Sequence, residues 1–565
     1  MKNIFFVLPV FIFFGFIGTA QASDQITEAF GVNLHLHQRV LTENQEQVLT
    51  LAQDHGVQWA REEFIWQDIE PQENEFSWTA YDAVVDNYQK NNIKILGLLT
   101  YSTQWASTNP DAANYEFYPP DIEKWKNYVT AVSEHYAQDI DAWEIWNEPN
   151  LTGFWQGDVD RYVELLEVSA RAIHEVYPQA RIVLGGLSGS DQDFLNEVYA
   201  KISDPGLIDA VAFHPYRELN GQFVYAPEYT RPGLNTLRQD IYQMKAVMNA
   251  YHQNATPIWL TEVGWSTSDE GVSQAVQANY LLRLYTIALS IAGVEKVFWY
   301  SFADDPQKFG LVDDQYVPKL ALSAYLFAYQ HLNQQKFTQA TAPHQILLDD
   351  FTTSQGWQFI GNACSTGKVN DHWHGKMKII YQFNQTENCY AQIVFNKVLP
   401  KKSRVLFFRL KGVNQQAIMR LRLVDAQGEV FQYDFGSTPR EWLDYEVDLK
   451  NYAAHWGKNA DGVLNRPLTL ESVIIDSNHD LDQAKILLDS LQVSLSSAKI
   501  YHFVYNQQDF YAVWNSGTSA IAKIKLKNKR INIDRLAKES LLKSSVHRIF
   551  TLRLNETLKF LQPAL

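Results

Sequence analysis

The sequence predicts an α/β chain: a (β/α)8 TIM barrel, then a β-sandwich, then a small C-terminal β region. Three observations carry that expectation. Eight short β-like runs alternate with longer amphipathic segments between residues 29 and 332, the repeat of an eightfold βα barrel. Several runs are nearly continuous in apolar residues, as strands covered on both faces must be. Beyond about residue 340 the helical period gives way to short strands separated by turns.

The elements follow in order. Residues 1–22 hold one lysine, an apolar run from Ile4 to Ile17 and the small-residue site Ala20-Gln21-Ala22. That is the pattern of a cleaved secretory signal, and the run is shorter than the ~20 residues of a membrane span. A periplasmic or secreted protein with no membrane span in the mature chain is expected. The barrel is placed at 23–340, with strands at AFGVNLHL (29–36), VQWARE (57–62), IKILGLLT (93–100), AWEIWNE (142–148), RIVLGGL (181–187), LIDAVAFH (207–214), PIWLTEV (257–263) and KVFWYS (296–301). A doubly wound open sheet is the alternative, weakened because no Gly-rich phosphate turn follows the first strand. The sandwich is placed at 345–497, and the last β region at 498–565. No Pro/Ser-rich linker separates these parts, so they should dock firmly.

Composition narrows function. The net charge of −16 argues against nucleic acid as a partner, because phosphate binding needs a basic face. The basic stretch KIKLKNKR (523–530) alternates as a solvated edge strand would. Sixteen Trp and 29 Tyr supply flat faces with polar edges, suited to sugar rings or to core packing. Cys364 and Cys389, the two cysteines of the chain, form a plausible structural disulfide in an exported protein. A monomer is expected, with no cofactor required.

Function in a barrel lies at the C-terminal strand ends. Strand 4 exits at Asn147-Glu148-Pro149 and strand 7 at Thr261-Glu262-Val263-Gly264-Trp265. Two carboxylates across one mouth are what glycosidic cleavage needs, one to protonate the leaving oxygen and one to attack carbon or activate water. Their environments must differ for them to hold different roles at one pH. The other rims offer Asn33, His35 and His37, Arg61, Glu62 and Glu63, Tyr101 and Trp105, His214 and Tyr216, and Trp299. Glu144 shares a pleat face with Glu148 and lies deeper, so a buried partner for an arginine or hydroxyl is expected there. His35 and His37 lack a clear third metal ligand, which favours substrate contact or a core hydrogen bond. Trp259 reads as core. Trp105, Trp155 and Trp265 are divided between sugar stacking and packing.

WNEPN (146–150) and LTEVGWS (260–266), with RxxFxWxxIEP (61–71) and FHPY (213–216), resemble clan A of the retaining glycoside hydrolases. Within the clan the chain is most similar to family 39 and related bacterial polysaccharide endoglycosidases, over residues 29–332. The resemblance implies Glu148 as acid/base and Glu262 as nucleophile. It implies Asn147 as the ligand of a sugar 2-hydroxyl, Arg61 and Tyr216 as groups orienting the nucleophile, and His214 and Trp299 as site lining. His35, Trp105 and Trp265 complete the substrate-binding candidates. LLDDFTTSQGW (347–357) and ILLDSLQVSL (486–495) resemble the opening and closing strands of jelly-roll carbohydrate-binding domains, which often hold a structural calcium. Asp350 and Asp489 are then candidate ligands. The expectation is a retaining β-glycosidase acting within a polysaccharide chain. The alternatives are an exo-acting β-xylosidase-type enzyme and a non-catalytic polysaccharide-binding protein.

Overall fold

The computed structural model describes residues 25–563, apart from 219–220, 230–233, 342–344, 352, 371–375, 385–388, 414–416, 440–441, 478–482, 507, 516–519, 526–529, 536–537, 544–548 and 555–558. Residues 1–24, and with them the expected signal, lie outside the described residues.

Eight parallel strands close into a barrel: β1 (Phe30–Asn33), β2 (Trp59–Ile65), β3 (Lys94–Thr100), β4 (Ala142–Ile145), β5 (Arg181–Ser188), β6 (Ala210–His214), β7 (Ile258–Val263) and β8 (Val294–Trp299). β1 pairs with both β2 and β8, which closes the ring and rules out the open sheet. All eight expected strands are present, with changed ends. β4 stops at Ile145 because Trp146 (φ 70°) and Glu148 (φ 44°) leave the extended region. The run at 207–214 gives up its start to a 3-10 turn at Pro205–Leu207.

Inside the barrel, alternate residues meet in a layer of Trp59, Leu96, Ala142, Val183, Ala210, Ala212, Trp259 and Phe298. Small residues face large ones, which lets two tryptophans pack edge to face at 5.7 Å. The layer is solid, so chemistry is confined to the strand exits above it. The helices form where amphipathic segments follow a capping residue. Asp121 accepts from the amides of Glu123 and Lys124 at the start of Ile122–Tyr136, and Asp158 from Arg161 at the start of Val159–Val176.

The second unit is a sandwich of two antiparallel sheets with its own core. Its first strand, Gln345–Asp349, pairs with its last, Ala484–Ser494, as the jelly-roll resemblance implied. The disulfide is present: Cys364 precedes Ser365–Asn370 of one sheet and Cys389 precedes Tyr390–Val398 of the other, so the bond ties the two sheets. Asp489 is paired with the ammonium of Lys376 at 2.7 Å. Among the described residues no group of three or more His, Cys, Asp or Glu is placed to hold a metal ion.

The boundary at 340 needs correction. Lys336–Thr341 is a strand that pairs with Ala498–Tyr505, so the chain leaves the barrel at Leu332 and starts the C-terminal sheet before entering the sandwich. The physical reason is edge pairing: the 498–505 strand bonds Gln508–Asn515 on one side and needs a partner on the other. This sheet packs on the barrel. Tyr501, Phe503, Phe510 and Trp514 belong to the barrel's helix-layer core. Trp514 Nε1 donates to Glu228 Oε1 at 3.0 Å, and buried Arg283 pairs with the same oxygen at 2.7 Å. The basic run at 523–530 enters a strand, Ala520–Lys525, paired with Ile549–Leu554; residues 526–529 lie outside the described residues. Among the described residues no helix is long and apolar enough to cross a membrane.

Closing a loop with a sequence separation of 25 should stabilise the sandwich by about 3 kcal/mol. Replacing Cys364 and Cys389 by Ala together should lower the melting temperature of the sandwich in calorimetry and leave the barrel transition in place. An unchanged thermogram contradicts a structural role for the bond.

Candidate active site

The exit of β4 aims Glu148 into the mouth by means of a strained turn. Non-glycine residues at positive φ cost roughly 1–3 kcal/mol each and persist only when their surroundings hold them. Here the Trp146 amide donates to Leu99 O (3.2 Å) and the Glu148 amide to Gly186 O (3.0 Å). Trp146 Nε1 donates to Phe154 O (2.8 Å). The turn leaves Glu148 9% exposed.

Arg61, on β2, is the hub. Its Nε donates to Glu144 Oε2 (2.6 Å) and its Nη1 to Glu262 Oε1 (2.6 Å) and Asn33 Oδ1 (3.0 Å). Its Nη2 donates to Asn147 Oδ1 (2.8 Å) and Glu144 Oε1 (3.3 Å). A guanidinium offers donors only, so Asn147 must present its oxygen to Arg61. Its amide NH2 is then left to donate elsewhere. Buried Arg61 is drawn in opposite directions, by burial and by two carboxylates, and the net effect raises its pKa; it stays charged.

Glu262 also accepts from the Tyr216 hydroxyl (2.9 Å). Burial alone would raise its pKa. His214, Arg61, the Tyr216 hydroxyl and His35 outweigh burial and hold it at about 2. Burial and the nearby arginines bring His35 down to about 3, so its help counts only in acid, whereas Arg61 stays charged and the Tyr216 hydroxyl stays a donor. His214 Nδ1 lies 2.9 Å from Glu148 Oε1 and 3.8 Å from Glu262 Oε2. Those two contacts keep the facing oxygens within about 7 Å of each other, so that both carboxylates can reach one sugar ring.

Glu144 is fully buried, as expected of the deeper glutamate. Besides Arg61 it accepts from the Gly186 amide (2.7 Å) and the Thr261 hydroxyl (3.2 Å). Thr261 in turn meets His214 Nε2 at 3.1 Å. The register of β5 against β6 shifts between Leu184 and Leu187, and that bulge, built on two glycines, frees Gly186 to bond Glu144 and Glu148 together. A Cβ on Gly186 would stand 2.2 Å from His214 Nε2, 2.7 Å from Thr261 Oγ1 and 2.8 Å from Glu144 Oε1.

The rim differs from the expectation in several places. Glu62 is buried and accepts from the amides of Leu36 and His37 and from Tyr88 OH. Burial pushes it up to about 7 against those donors, and its work is to pin the loop that puts His35 at φ 50°. Among the described residues neither ring nitrogen of buried His35 has a hydrogen-bond partner; its ring meets Tyr300 edge-on at 5.8 Å, and Nδ1 is 3.8 Å from Glu63. Trp265 and Trp299 are fully buried and tilted against each other at 5.9 Å, with Nε1 donating to Tyr225 O and Phe309 O. They offer no open face to a sugar. Phe298 points into the barrel, so pleat alternation turns Trp299 to the helix side and brings Tyr300 to the mouth, where its hydroxyl accepts from Arg39 at 3.1 Å. Trp155 is also buried. Trp105 is partly exposed, edge-on to Trp66 at 5.3 Å and beneath the Lys124 ammonium at 5.1 Å.

The model of the glycosyl hydrolases family 39 matches residues 18–393, past the barrel and into the sandwich. A β-xylosidase of Geobacillus stearothermophilus is 26% identical over 284 residues, 45% of this chain and 56% of that protein. A β-xylosidase of Caldicellulosiruptor saccharolyticus is 28% identical over 107 residues, 17% and 22%. The chain thus spans about half or less of the length of these curated relatives. The solved structure of a family 39 glycoside hydrolase from Bacteroides cellulosilyticus WH2 shares the fold at 15% identity, with a TM-score of 0.56 over 95% of this chain and 81% of that one.

Gly186→Ala should destabilise the barrel by about 1–3 kcal/mol, since its methyl has no room. Gly153→Ala, where a Cβ meets nothing within 4 Å, should be close to neutral. Equal melting temperatures for the two variants contradict the packing described around Gly186.

Proposed function

The chain belongs to the glycosyl hydrolases of family 39, and from that premise we propose that it is a retaining β-glycosidase working by double displacement. The observation that carries the reading is the contrast between two carboxylates that share one histidine. Glu262 is ionised by Arg61 and Tyr216, whereas Glu148 faces the imidazole of His214.

In the first step Glu262 attacks the anomeric carbon, the bond to the leaving oxygen breaks, and Glu148 gives that oxygen its proton. A glycosyl ester on Glu262 results. In the second step water attacks the same carbon, Glu148 takes the water's proton, and the ester bond breaks. The NH2 of Asn147, its oxygen fixed on Arg61, is placed to donate to the sugar 2-hydroxyl.

As to substrate, the accessory sandwich favours a polysaccharide cut within its chain, exported by the expected signal. A second reading, release of terminal xylose, is favoured by the two relatives described as β-xylosidases. Product sizes over time separate them: oligosaccharide ladders from xylan or another β-glycan support the first, and monosaccharide alone supports the second.

A 2-fluoro β-glycoside should inactivate the protein and label the peptide carrying Glu262, and Glu262→Gln should be neither active nor labelled. Labelling elsewhere, or none together with no hydrolysis of any β-glycan, overturns the proposal. Tyr216→Phe removes a donor from the ionised form of Glu262. The acidic limb of kcat/KM should therefore move to higher pH, and kcat/KM at neutral pH should fall about 10- to 100-fold, the worth of one hydrogen bond to a charge. An unmoved acidic limb contradicts the role given to Tyr216.

A further inference from the structure

The core of the barrel mouth contains a hydrogen-bond chain that no step above has used: Glu144, Thr261, His214, Glu148. Its direction follows from counting protons. Glu144 is fully buried and bonded to Arg61, so it is a carboxylate and only accepts. The Thr261 hydroxyl has a single proton. If that proton pointed at His214, two bare acceptors, one of them charged, would face each other 3.2 Å apart. The proton therefore goes to Glu144 Oε1, a charge-assisted bond, and Thr261 can only accept from the other side. His214 Nε2, 3.1 Å away, must then carry a hydrogen. In the neutral ring that leaves Nδ1 without one, 2.9 Å from Glu148 Oε1.

We infer that Thr261 and Glu144 are positioning residues for the acid: they lock His214 as the Nε2–H tautomer, so that Nδ1 and Glu148 together hold one proton. With the lock in place, a bare Nδ1 and a bare Glu148 oxygen would repel, so the pair retains its proton and stands ready to protonate a leaving group. Without the lock, the hydrogen can move to Nδ1 and bond an already deprotonated Glu148, which is useless as an acid. The imidazolium–carboxylate form has the same proton count and is equally competent once the proton passes to Oε1. Gly186 keeps the space in which the three groups meet.

Other charged and titratable groups surround this pair. Glu262 from β7 lies 3.8 Å from Nδ1, and Tyr216, beyond the end of β6, and Tyr101, at the exit of β3, act electrostatically on Glu148. Arg61 from β2, and His35 and Tyr300 beyond β1 and β8, stand one step further, around Glu262. None of them contacts Nε2 in a described hydrogen bond, and all persist when Thr261 is changed, so a shift caused by that change reports on the tautomer.

The inference rests on the glycosidase reading for its kinetic test and stands apart from it for its spectroscopic one. Thr261→Val keeps the shape and removes the oxygen; Thr261→Ser keeps the oxygen. With a phenyl β-xyloside, or the phenyl β-glycoside that the wild type cleaves, the basic limb of kcat/KM should move about one pH unit to lower pH in Thr261→Val, the scale of a tautomer-dependent hydrogen bond, and should stay in place in Thr261→Ser. With the 2,4-dinitrophenyl glycoside, whose leaving group needs no acid, kcat/KM of Thr261→Val should fall far less than it does with the phenyl glycoside. A structural defect would lower both substrates alike, and that result, or an unmoved basic limb, overturns the inference. The nitrogen-15 spectrum of histidine-labelled wild-type protein, assigned with His214→Asn, needs no activity and no folded valine variant. It should show His214 protonated at Nε2; a neutral ring protonated only at Nδ1 overturns the inference. Failure of every glycoside to be cleaved, with the Nε2–H tautomer observed, would sink the glycosidase reading and leave the hydrogen-bond chain intact.

Discussion

Everything at the mouth of the barrel depends on one buried cation. Arg61 is 2% exposed and touches Glu144, Glu262, Asn147 and Asn33. A buried guanidinium facing a single carboxylate would gain little, because desolvation offsets most of the attraction. With two carboxylates and two amide oxygens it is satisfied, and each partner is fixed in turn. Glu262 is kept charged, Asn147 is given one orientation, and Glu144 becomes a fixed acceptor for Thr261 and Gly186. A substitution at Arg61 would leave two buried negative charges with no counter-ion, so its cost should fall on folding as well as on chemistry.

The barrel supplies what Arg61 requires. A solid layer of Trp59, Trp259 and smaller residues closes the floor, which keeps water from entering below the hub. Above it the chain departs from ideal geometry where the functional groups emerge: left-handed Trp146 and Glu148 after β4, left-handed His35 after β1, and the glycine bulge in β5. Strain of this kind needs surroundings that hold it. The holding groups are visible, with Gly186 bonding Glu148, Glu62 bonding the His35 loop, and Phe154 bonding Trp146. The docked C-terminal sheet packs its aromatic residues against the barrel's helices and so supports the scaffold from outside.

Much of this was legible in the sequence. Apolar runs at the right spacing located every barrel strand, and pleat parity alone placed Glu144 beneath Glu148. The two glutamates stood out because a carboxylate at a strand exit has few structural uses. Other parts were hidden for physical reasons. Thr261 and Gly186 have no chemistry of their own; their importance comes from a bulge that changes which atoms meet, and a one-residue register shift leaves little trace in a pattern of apolar residues. Trp299 invites a reading as a sugar platform, yet parity turns it to the helix layer and brings Tyr300 to the mouth. The strand at 336–341 cannot be told from the end of the barrel by sequence, because its partner lies more than 150 residues later in the chain and long-range pairing has no local signature.

The central claim is that Glu262, held ionised by Arg61, attacks the sugar itself and does not merely activate water. Proton NMR of the first sugar released from a β-glycoside tests it most directly, recorded before the anomers equilibrate. Two displacements at one carbon predict that the β-anomer appears first and the α-anomer only later, by mutarotation. The α-anomer appearing first would mean a single displacement by water, and would contradict the account.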